Sequence, residues 1–391
     1  MERQRSISNG MGTTLVNSSE VHNKLVKGYV DDLTGGNQGL SGFIANAYTS
    51  LKVSNVGGEC IPTTVTHFSL NTQTENCSYV VSPISSYVHY AREEISRLNK
   101  PITALPLKGV VAILNVLVRL AKLDNTIMFN NWMLSTNIYP LRFDRWSLAL
   151  LRDNWVGKYP EHALVFRSLN QRLNQHLIAD LKALGFILVP SRQVYIFDLR
   201  ASDSLLKDHH NNVMDAKLLK KTHYQIVDAS EFSELDYKQA EWLYRDLYVN
   251  KYSHLNPQYT CRWLSLGVRS GWLQLKGLKN SSGRLDGVVG WFIQGEVMTA
   301  PIVGYDTSLN KKLGLYRLLT QMCLQKAAKE RYVLNFSSGA SGFKILRGGS
   351  PEVEYSAVYI KHLPVFKKLV WTGLSKLLLG LAVPIMRRWR L

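Results

Sequence analysis

A basic, glycine-containing turn, Asn310–Tyr316, is the part of the sequence best suited to bind an anion. It reads NKKLGLY and joins a strand-like run, Val297–Tyr305, to a run whose apolar residues recur at helical spacing. The first amides of a helix are unpaired and carry a partial positive charge, so they can hold a phosphate group. Lys311 and Lys312 add charge there, and Gly314 permits close approach of the backbone. The spacing indicates a phosphate site, although an ordinary strand-to-helix turn shows the same pattern.

A second basic turn follows closely along the chain. Lys344 and Arg347 lie near helical spacing, with Gly342 and the pair Gly348-Gly349 around them. Two cations in a glycine-rich turn suit a phosphate or a carboxylate. Exposed basic residues that bind no ligand are the alternative.

The elements around these turns follow the order strand, helix, strand, helix, strand, which is typical of an α/β unit. In such units ligands collect where strand C-termini face helix N-termini. The predicted elements are strand Val297–Tyr305, the helix opened by Gly314, strand Tyr332–Phe336, helix Ser337–Leu346 and strand Val353–Ile360.

At the first basic turn the sequence resembles the GNAT acyltransferases, which hold a cofactor pyrophosphate through a Q/R-x-x-G-x-G/A loop. Lys311 stands at the basic position and Gly314 at the first glycine, whereas Tyr316 replaces the final small residue. LNFSSGASGFKILRGG followed by EYSAVYIKHLP is similar to the C-terminal part of FemAB-like and BioF2-like acyltransferases. The resemblance covers most of residues 60–365. It implies transfer of an acyl group to an amine on an α/β (α+β) fold of two GNAT-like mixed-sheet domains.

An internal repeat in the sequence supports two such domains in tandem. A strand, helix and strand at 163–166, 170–184 and 192–199 match 332–336, 340–346 and 356–363, and both copies share VYI. We expect two copies of one unit facing each other across a cleft. The expected domains are 43–200 and 222–364, joined by a connection at 201–221, preceded by a mobile segment at 1–42 and followed by a basic amphipathic tail at 365–391.

The resemblance also implies roles for individual residues. GNAT enzymes splay the fourth strand from the fifth, so the backbone at Val303–Tyr305 would polarise the acyl carbonyl. Asp306 would then act as base or bind the ammonium, Tyr305 or Tyr316 would protonate the leaving group, and Glu354 is the second choice. Each could instead be a turn cap or a core tyrosine. The expected donor-binding residues are Val303, Lys311, Lys312, Gly314, Leu315, Lys344 and Arg347.

Three residues are candidates to contact the acceptor amine. Tyr252 and His254 follow an amphipathic helix at Glu231–Val249, and in GNAT enzymes this region shapes the acceptor side. Asn131 lies inside a predicted apolar strand, Ile127–Ser135, where a polar side chain needs a partner. It either satisfies its neighbours and the backbone or lines the groove in which FemAB-like relatives bind acceptor.

The composition of the sequence indicates which classes of partner the protein would bind. The net charge of +18 favours an acidic partner such as a carrier protein or an anionic membrane. Motifs typical of nucleic-acid binding are absent from the sequence, so no nucleic acid is expected. The four cysteines form no close pair, and His209-His210 has no further ligand at metal spacing, so we expect no metal and a cytoplasmic location.

Two apolar stretches bear on membrane binding. Lys108–Leu123 is interrupted by polar residues and is predicted to be a buried helix. Lys361–Leu391 holds seven Lys or Arg and no acid, and its longest uncharged run, Leu377–Met386, is only ten residues long. A basic amphipathic helix there suits the surface of an anionic membrane, on its inner face, or packs on the protein's own core.

The predicted function is therefore N-acyl transfer in a biosynthetic pathway. The donor would be an acyl-CoA, with a short or a long acyl chain, or a phosphopantetheine-linked acyl carrier protein. The acceptor amine would belong to a small molecule or a peptide. Two alternatives stay open: an aminoacyl-tRNA-dependent transferase of the FemAB type, and a non-catalytic membrane-associated protein on the same fold.

Overall fold

A computed structural model describes residues 6–35, 39–69, 76–96, 101–139, 143–201 and 204–389. The strands are β1 (Ser50–Val56), β2 (Glu59–Thr66), β3 (Thr126–Phe129), β4 (Ala163–Leu169), β5 (Ile187–Asp198), β6 (Gln225–Asp228), β7 (Gln274–Lys279), β8 (Leu285–Gln294), β9 (Val297–Tyr305), β10 (Val333–Asn335) and β11 (Ser350–Tyr359). The helices are α1 (Ser6–Thr34), α2 (Tyr90–Ser96), α3 (Pro101–Leu120), α4 (Arg145–Lys158), α5 (Gln171–Ala183), α6 (Ser204–Asp208), α7 (His210–Lys221), α8 (Glu234–Tyr244), α9 (Cys261–Arg269), α10 (Leu315–Lys329), α11 (Ser341–Ile345), α12 (Val365–Leu377) and α13 (Val383–Trp389).

All eleven strands form one mixed sheet, in the order β1-β2-β3-β4-β11-β5-β10-β9-β8-β7-β6. The predicted duplication is confirmed, because the parallel pair β3/β4 with α4 between its strands matches the parallel pair β9/β10 with α10. The two halves exchange their last strands: β5 pairs with β10, β11 pairs with β4, and β5 and β11 pair antiparallel with each other. The halves therefore meet edge to edge in one sheet, and the expectation that they face each other across an open cleft is wrong.

Residues along the strands of the first half alternate between two buried faces. Leu164 and Phe166 belong to a cluster that includes α4 and α5 residues, whereas Val165 and Val358 belong to one that includes α3 and α12 residues. Strands covered on both faces carry nearly continuous apolar runs, which explains why the sequence of β4 is apolar throughout. In the second half, α10 and α7 cover one face and α8, α9 and α1 the other.

Helix α1 changes the interpretation of residues 1–42. That segment was expected to be mobile, yet Val26, Tyr29 and Leu33 lie fully buried, and the Tyr29 hydroxyl donates to the Trp132 carbonyl over 2.7 Å. The apolar residues stand one helical turn apart on one face. Surrounding Gly, Ser and Asn residues mask this periodicity in the sequence.

Two other local expectations differ from the structure. The strand beginning near Ile127 ends at Phe129, because Asn130 adopts a left-handed backbone with φ of 50°. The expectation that Lys108–Leu123 is a buried helix is wrong: α3 buries one stripe of residues and exposes an apolar stripe on the other side.

The basic amphipathic helix at the C-terminus is confirmed. Within α12, Trp371 and Leu374 are buried while Leu369 is exposed. Val365–Arg388 is also long and apolar enough, with a mean hydropathy of 1.7, to cross a membrane by length and composition. The expectation from the sequence counted only the uncharged run after Lys376, which is ten residues long. The helix itself continues through Lys376, so its apolar length is greater.

Candidate functional site

Strands β9 and β10 pair over only three residues, and we call the region beside the remaining length of β9 the β9–β10 cleft. They pair in parallel only from Val297/Val333 to Thr299/Asn335, after which β10 ends and β9 continues to Tyr305. Among the described residues, the edge of β9 from 300 to 305 therefore has no strand beside it on the β10 side. Unpaired backbone groups on a strand edge can bind an extended ligand. The resemblance predicted that this pair of strands splays, and the end of pairing after Asn335 marks the place where such a splay would lie.

Tyrosines line the cleft. The Tyr316 ring lies 6.1 Å from Tyr305 and 4.7 Å from Phe343, and Tyr248 lies 6.1 Å from Tyr252. Burial raises the pKa of Tyr316, and burial together with the neighbouring Tyr316 and Tyr252 raises the pKa of Tyr248. A raised pKa keeps each phenol protonated at neutral pH, so these hydroxyls can donate a proton or a hydrogen bond.

The N-terminus of α10 lies at the end of the loop that follows β9. Gly314 precedes the helix with φ of 66°, no side chain caps it, and Lys311 and Lys312 nearby are exposed. A Cβ atom on Gly314 would lie 2.7 Å from Cδ2 of Leu218, so both conformation and space call for glycine. The predicted position of Gly314 before the helix is confirmed.

The matching helix of the first half is built differently. Asp144 caps α4, where its carboxylate accepts from the Ser147 amide over 2.9 Å and from the Ser147 hydroxyl over 2.6 Å. An acidic cap satisfies the helix amides and repels a phosphate. Of the two matching helix N-termini, only that of α10 suits an anionic ligand.

Asp306 lies where the sequence places it, at the end of β9, but both of its oxygens have protein donors. Oδ1 accepts from the Ser308 amide over 3.0 Å and the Ser308 hydroxyl over 2.5 Å, and Oδ2 accepts from Arg284 over 3.0 Å. Burial alone would raise the pKa of Asp306, but the Ser308 hydrogen bonds and Arg284 outweigh it and lower that pKa. This arrangement is the turn cap that the sequence left as the alternative.

Glu354 lies on β11 at the centre of the sheet and is 2% exposed. Its Oε1 accepts from Nε of Arg192 over 2.9 Å, whereas its Oε2 has no hydrogen-bond partner among the described residues. Nη2 of Arg192 donates to Oγ1 of Thr136 over 2.9 Å and also to the Ser135 carbonyl. A buried carboxylate with one free oxygen is therefore held in position by a well-anchored arginine.

The surroundings of Arg192 connect Glu354 to the cleft. The Arg192 guanidinium lies 5.9 Å from the centre of the Tyr79 ring and 3.5 Å from the Ser338 hydroxyl in the loop after β10. The Tyr79 hydroxyl also donates to Oδ1 of Asn256, whose Nδ2 donates to the Tyr248 carbonyl, so one residue connects Tyr79 with Tyr248. Strand β10 pairs with β5 only as far as Ile196, so Arg192 and Glu354 lie in the part of the sheet beyond the end of β10.

Lys344 and Arg347 do not form an exposed anion site. Nζ of Lys344 is buried and donates to the Phe336 carbonyl over 2.6 Å and to the Ser338 carbonyl over 2.8 Å, so it fixes the loop after β10. Nε of Arg347 donates to Asp215 over 2.7 Å. Burial, and secondarily Arg192, lower the pKa of Lys344 to about 7. Both cations are therefore occupied by protein acceptors, which corrects the interpretation of this turn as a phosphate site.

The expected acceptor residues are found in three different environments. Tyr252 ends the π-helical segment 245–252 and is exposed, with its ring 6.1 Å from that of Tyr248. His254 is exposed nearby, with Nδ1 3.2 Å from Oε1 of Glu93. Asn131 is fully buried and donates to Oγ1 of Thr64 over 2.9 Å and to the Val80 carbonyl over 2.9 Å. Asn131 therefore has the structural role that the sequence left open.

Sequence reasoning missed two arginines and Tyr248. Arg167 on β4 is buried and donates to the carbonyls of Leu134 and Ser135 over 2.8 and 3.1 Å, close to Arg192. A single arginine in the largely apolar run of β4 is the signal that could have found Arg167, because a buried charge needs partners. No group of three or more His, Cys, Asp or Glu in the described ranges could hold a metal ion.

Comparison with known proteins gives similarities of structure only. No family model matches the sequence, and no curated protein matches it. The C-terminal domain of a putative lysylphosphatidylglycerol synthetase from Agrobacterium fabrum is 12% identical with a TM-score of 0.43, over 61% of this chain and 79% of that one. FemX is 10% identical with a TM-score of 0.45, over 58% and 80%.

A third similar structure is a tandem GNAT protein from the clavulanic acid biosynthesis pathway, with 13% identity and a TM-score of 0.34, over 60% of this chain and 75% of that one. All three similarities extend over more than half of this chain. Because all three TM-scores are below 0.5, the fold and the residue roles of this protein rest on its own geometry.

Proposed function

We propose that this protein is a transferase that moves an acyl or aminoacyl group from an activated carrier to an amine in the β9–β10 cleft. The observation that supports this is the unpaired edge of β9 at 300–305, which leads into the uncapped N-terminus of α10. A phosphopantetheine arm is an extended chain that carries amides and ends in a phosphate. Its amides would pair with the strand edge, and its phosphate would lie at the helix N-terminus beside Lys311 and Lys312.

Both acyl-CoA and an acyl carrier protein present that arm, so either fits the cleft. In the reaction the amine nitrogen attacks the thioester carbonyl, the new C–N bond forms, and the C–S bond breaks. A backbone amide of β9 near Val303 would hold the oxyanion, and Tyr316 or Tyr305 would give a proton to the departing thiolate. Tyr248, which packs against the same buried cluster as Tyr316, is a third candidate for this role.

The proton released by the amine needs a base, and here the structure favours one carboxylate over another. Asp306 has protein donors on both oxygens, whereas Glu354 has a free Oε2. We therefore assign Glu354 to bind the ammonium and accept its proton, with Arg192 orienting the carboxylate. Tyr252 and His254 would lie at the acceptor entrance.

The test is a transfer assay with mass-spectrometric detection. Acetyl-CoA, a long-chain acyl-CoA, an acyl carrier protein and aminoacyl-tRNA would each be supplied with a mixture of amines. The double variant Lys311→Gln/Lys312→Gln should raise donor KM with little change in kcat. Lys329→Gln, at the other end of the same helix and also exposed, is the matched control and should leave KM unchanged. If the unchanged protein, the double variant and the Lys329→Gln control had the same donor KM, the N-terminus of α10 would not bind the donor phosphate.

An aminoacyl-tRNA donor is the second candidate, and the net charge of +18 favours it, because a strongly basic protein attracts a polyanion. Transfer that is abolished by ribonuclease and is lost steeply with added salt would identify that donor. Absence of transfer with every donor would support the non-catalytic alternative.

A further inference from the structure

Helices α3 and α12 cover the same face of the first-half sheet. Val111 and Val118 of α3 and Trp371 and Leu374 of α12 belong to one buried cluster that also contains Val358 of β11. The Tyr87 ring, from the segment before α2, lies 6.4 Å from the Trp371 ring within that cluster. Both helices therefore rest on one face of a single sheet, and their outer sides are on the same side of that sheet.

Those outer sides are apolar on both helices. Ile113, Val116 and Leu120 on α3 are between 56% and 67% exposed. Val365, Leu369 and Leu379 on the C-terminal helix are between 44% and 67% exposed. Isolated exposed apolar residues are ordinary on protein surfaces, but a set shared by two neighbouring helices indicates an interaction surface. We call these six residues the apolar platform.

The two segments that carry the apolar platform are basic. Neither α3 nor the segment 361–391 contains Asp or Glu. Lys108 and Lys122 flank the exposed stripe of α3, and Lys361, Lys376 and Arg388 lie along the C-terminal segment, all five exposed. An apolar surface bordered by cations matches the boundary between the acyl chains and the headgroups of an anionic bilayer.

We propose that the apolar platform docks onto an anionic membrane surface, with α3 and α12–α13 both lying in the plane of the bilayer. A second copy of this chain is a poor occupant, because it would bring two basic rims together. A spanning helix is also a poor fit, since α12 is fixed to the sheet. The Ser375 hydroxyl donates to the Leu188 carbonyl over 2.7 Å, and Trp371 and Leu374 are buried.

This proposal does not depend on the proposed transfer reaction, because its readout is binding. Full-length protein would be floated with vesicles of phosphatidylcholine alone and with vesicles that contain an equal amount of phosphatidylglycerol. We expect binding to the anionic vesicles that weakens as salt is added. Protein that fails to float with anionic vesicles at low salt would overturn the proposal.

Matched variants distinguish binding through the apolar platform from non-specific adsorption to vesicles. Ile113→Ser/Leu369→Ser removes one exposed residue from each helix and should weaken vesicle binding by about tenfold or more. Leu235→Ser changes an equally exposed leucine on α8, far from the apolar platform in the sheet order, and should bind as the unchanged protein does. Thermal unfolding would show that both variants are folded.

Two outcomes point to other occupants and contradict the proposal. A wild-type dimer that the double variant converts to a monomer would show that a second copy covers the apolar platform. Protein that stays in the membrane after alkaline carbonate extraction would show a spanning helix. Equal vesicle binding by the double variant and the Leu235→Ser control would show that the apolar platform is not the docking surface.

Discussion

Arg192 and Glu354 form an ion pair across the two strands that the halves of the chain exchange, with 2.9 Å between Nε and Oε1. Arg192 comes from the last strand of the first half and Glu354 from the last strand of the second. The pair exists only because β5 and β11 lie next to each other at the centre of the sheet. The candidate catalytic carboxylate and the arginine that orients it therefore come from different copies of the repeat.

Replacing the Glu354 carboxylate by an amide tests its role as base. Glu354→Gln retains an oxygen for Nε of Arg192 and the size of the side chain, so the fold should be kept. Loss of the base should lower kcat by roughly 10²–10⁴-fold, with a small effect on donor KM. Steady-state kinetics against donor and amine would measure this. A variant as active as the unchanged protein would make Glu354 purely structural.

Removing Arg192 should act chiefly on stability. Arg192→Met would leave the buried Glu354 carboxylate without its ion-pair partner, which costs about 3 kcal/mol of unfolding free energy. Urea unfolding monitored by circular dichroism would measure the loss. The double variant Arg192→Met/Glu354→Gln should recover part of that loss, because no uncompensated charge is left. A double variant less stable than Arg192→Met would contradict this coupling.

Asp306 should behave as a turn cap. In Asp306→Asn the amide oxygen still accepts from Ser308, but the charge opposite Arg284 is lost, so unfolding free energy should fall by about 1 kcal/mol. Because the pKa of Asp306 is lowered by folding, its contribution is present above the ordinary carboxyl range and is lost as pH falls through the lowered value. A kcat loss that exceeds that of Glu354→Gln would return the base role to Asp306.

The local features of the site could be predicted from sequence because each depends on neighbours in the chain. The strand ending at Tyr305 and the helix that follows Gly314 need only apolar periodicity and a glycine. The Arg192–Glu354 pair joins residues 162 positions apart, and no local pattern indicates which strand lies beside β5.

Two misassignments have the same physical origin. Asp306 looks like a base until Arg284 and Ser308 are placed around it, and Lys344 looks like an exposed cation until the loop after β10 folds over it. Ser308 and the carbonyls that Lys344 contacts are local in sequence, but the approach of Arg284 and the burial of Lys344 are decided by tertiary packing. The apolar stripe on α3 was hidden for a related reason: sequence shows that the helix is apolar, and only packing shows which side is covered.

A histidine pair should make the protein sensitive to acid. Nε2 of His162 lies 3.0 Å from Nδ1 of His67, and burial, followed by the nearby His67 and Lys367, lowers the pKa of His162 from 6.5 to about 4. Between these two values the unfolded chain binds more protons than the folded one, so unfolding free energy should decrease as pH falls from 6.5 to 4. His162→Gln should flatten that decrease in urea titrations, whereas the exposed His254→Gln should not.

Gly314 provides the sharpest test of the α10 N-terminus. Gly314→Ala forces a left-handed φ of 66° on alanine and brings a Cβ to 2.7 Å from Cδ2 of Leu218, so unfolding free energy should fall by about 1–2 kcal/mol. The added methyl group also lies beside the amides proposed to hold the donor phosphate, so donor KM should rise. Adding Leu218→Ala to this variant removes the crowding but keeps the methyl group of the new alanine at position 314.

If the amides bind phosphate, Gly314→Ala/Leu218→Ala should regain the stability lost to crowding while donor KM stays high, because the methyl group still limits approach to the helix N-terminus. Leu218→Ala alone is the control for the cavity that it creates and should leave donor KM near that of the unchanged protein. Donor KM that returns to normal in the double variant would mean that crowding against Leu218 had displaced the helix. The glycine would then serve packing alone, and the donor phosphate would have to bind elsewhere.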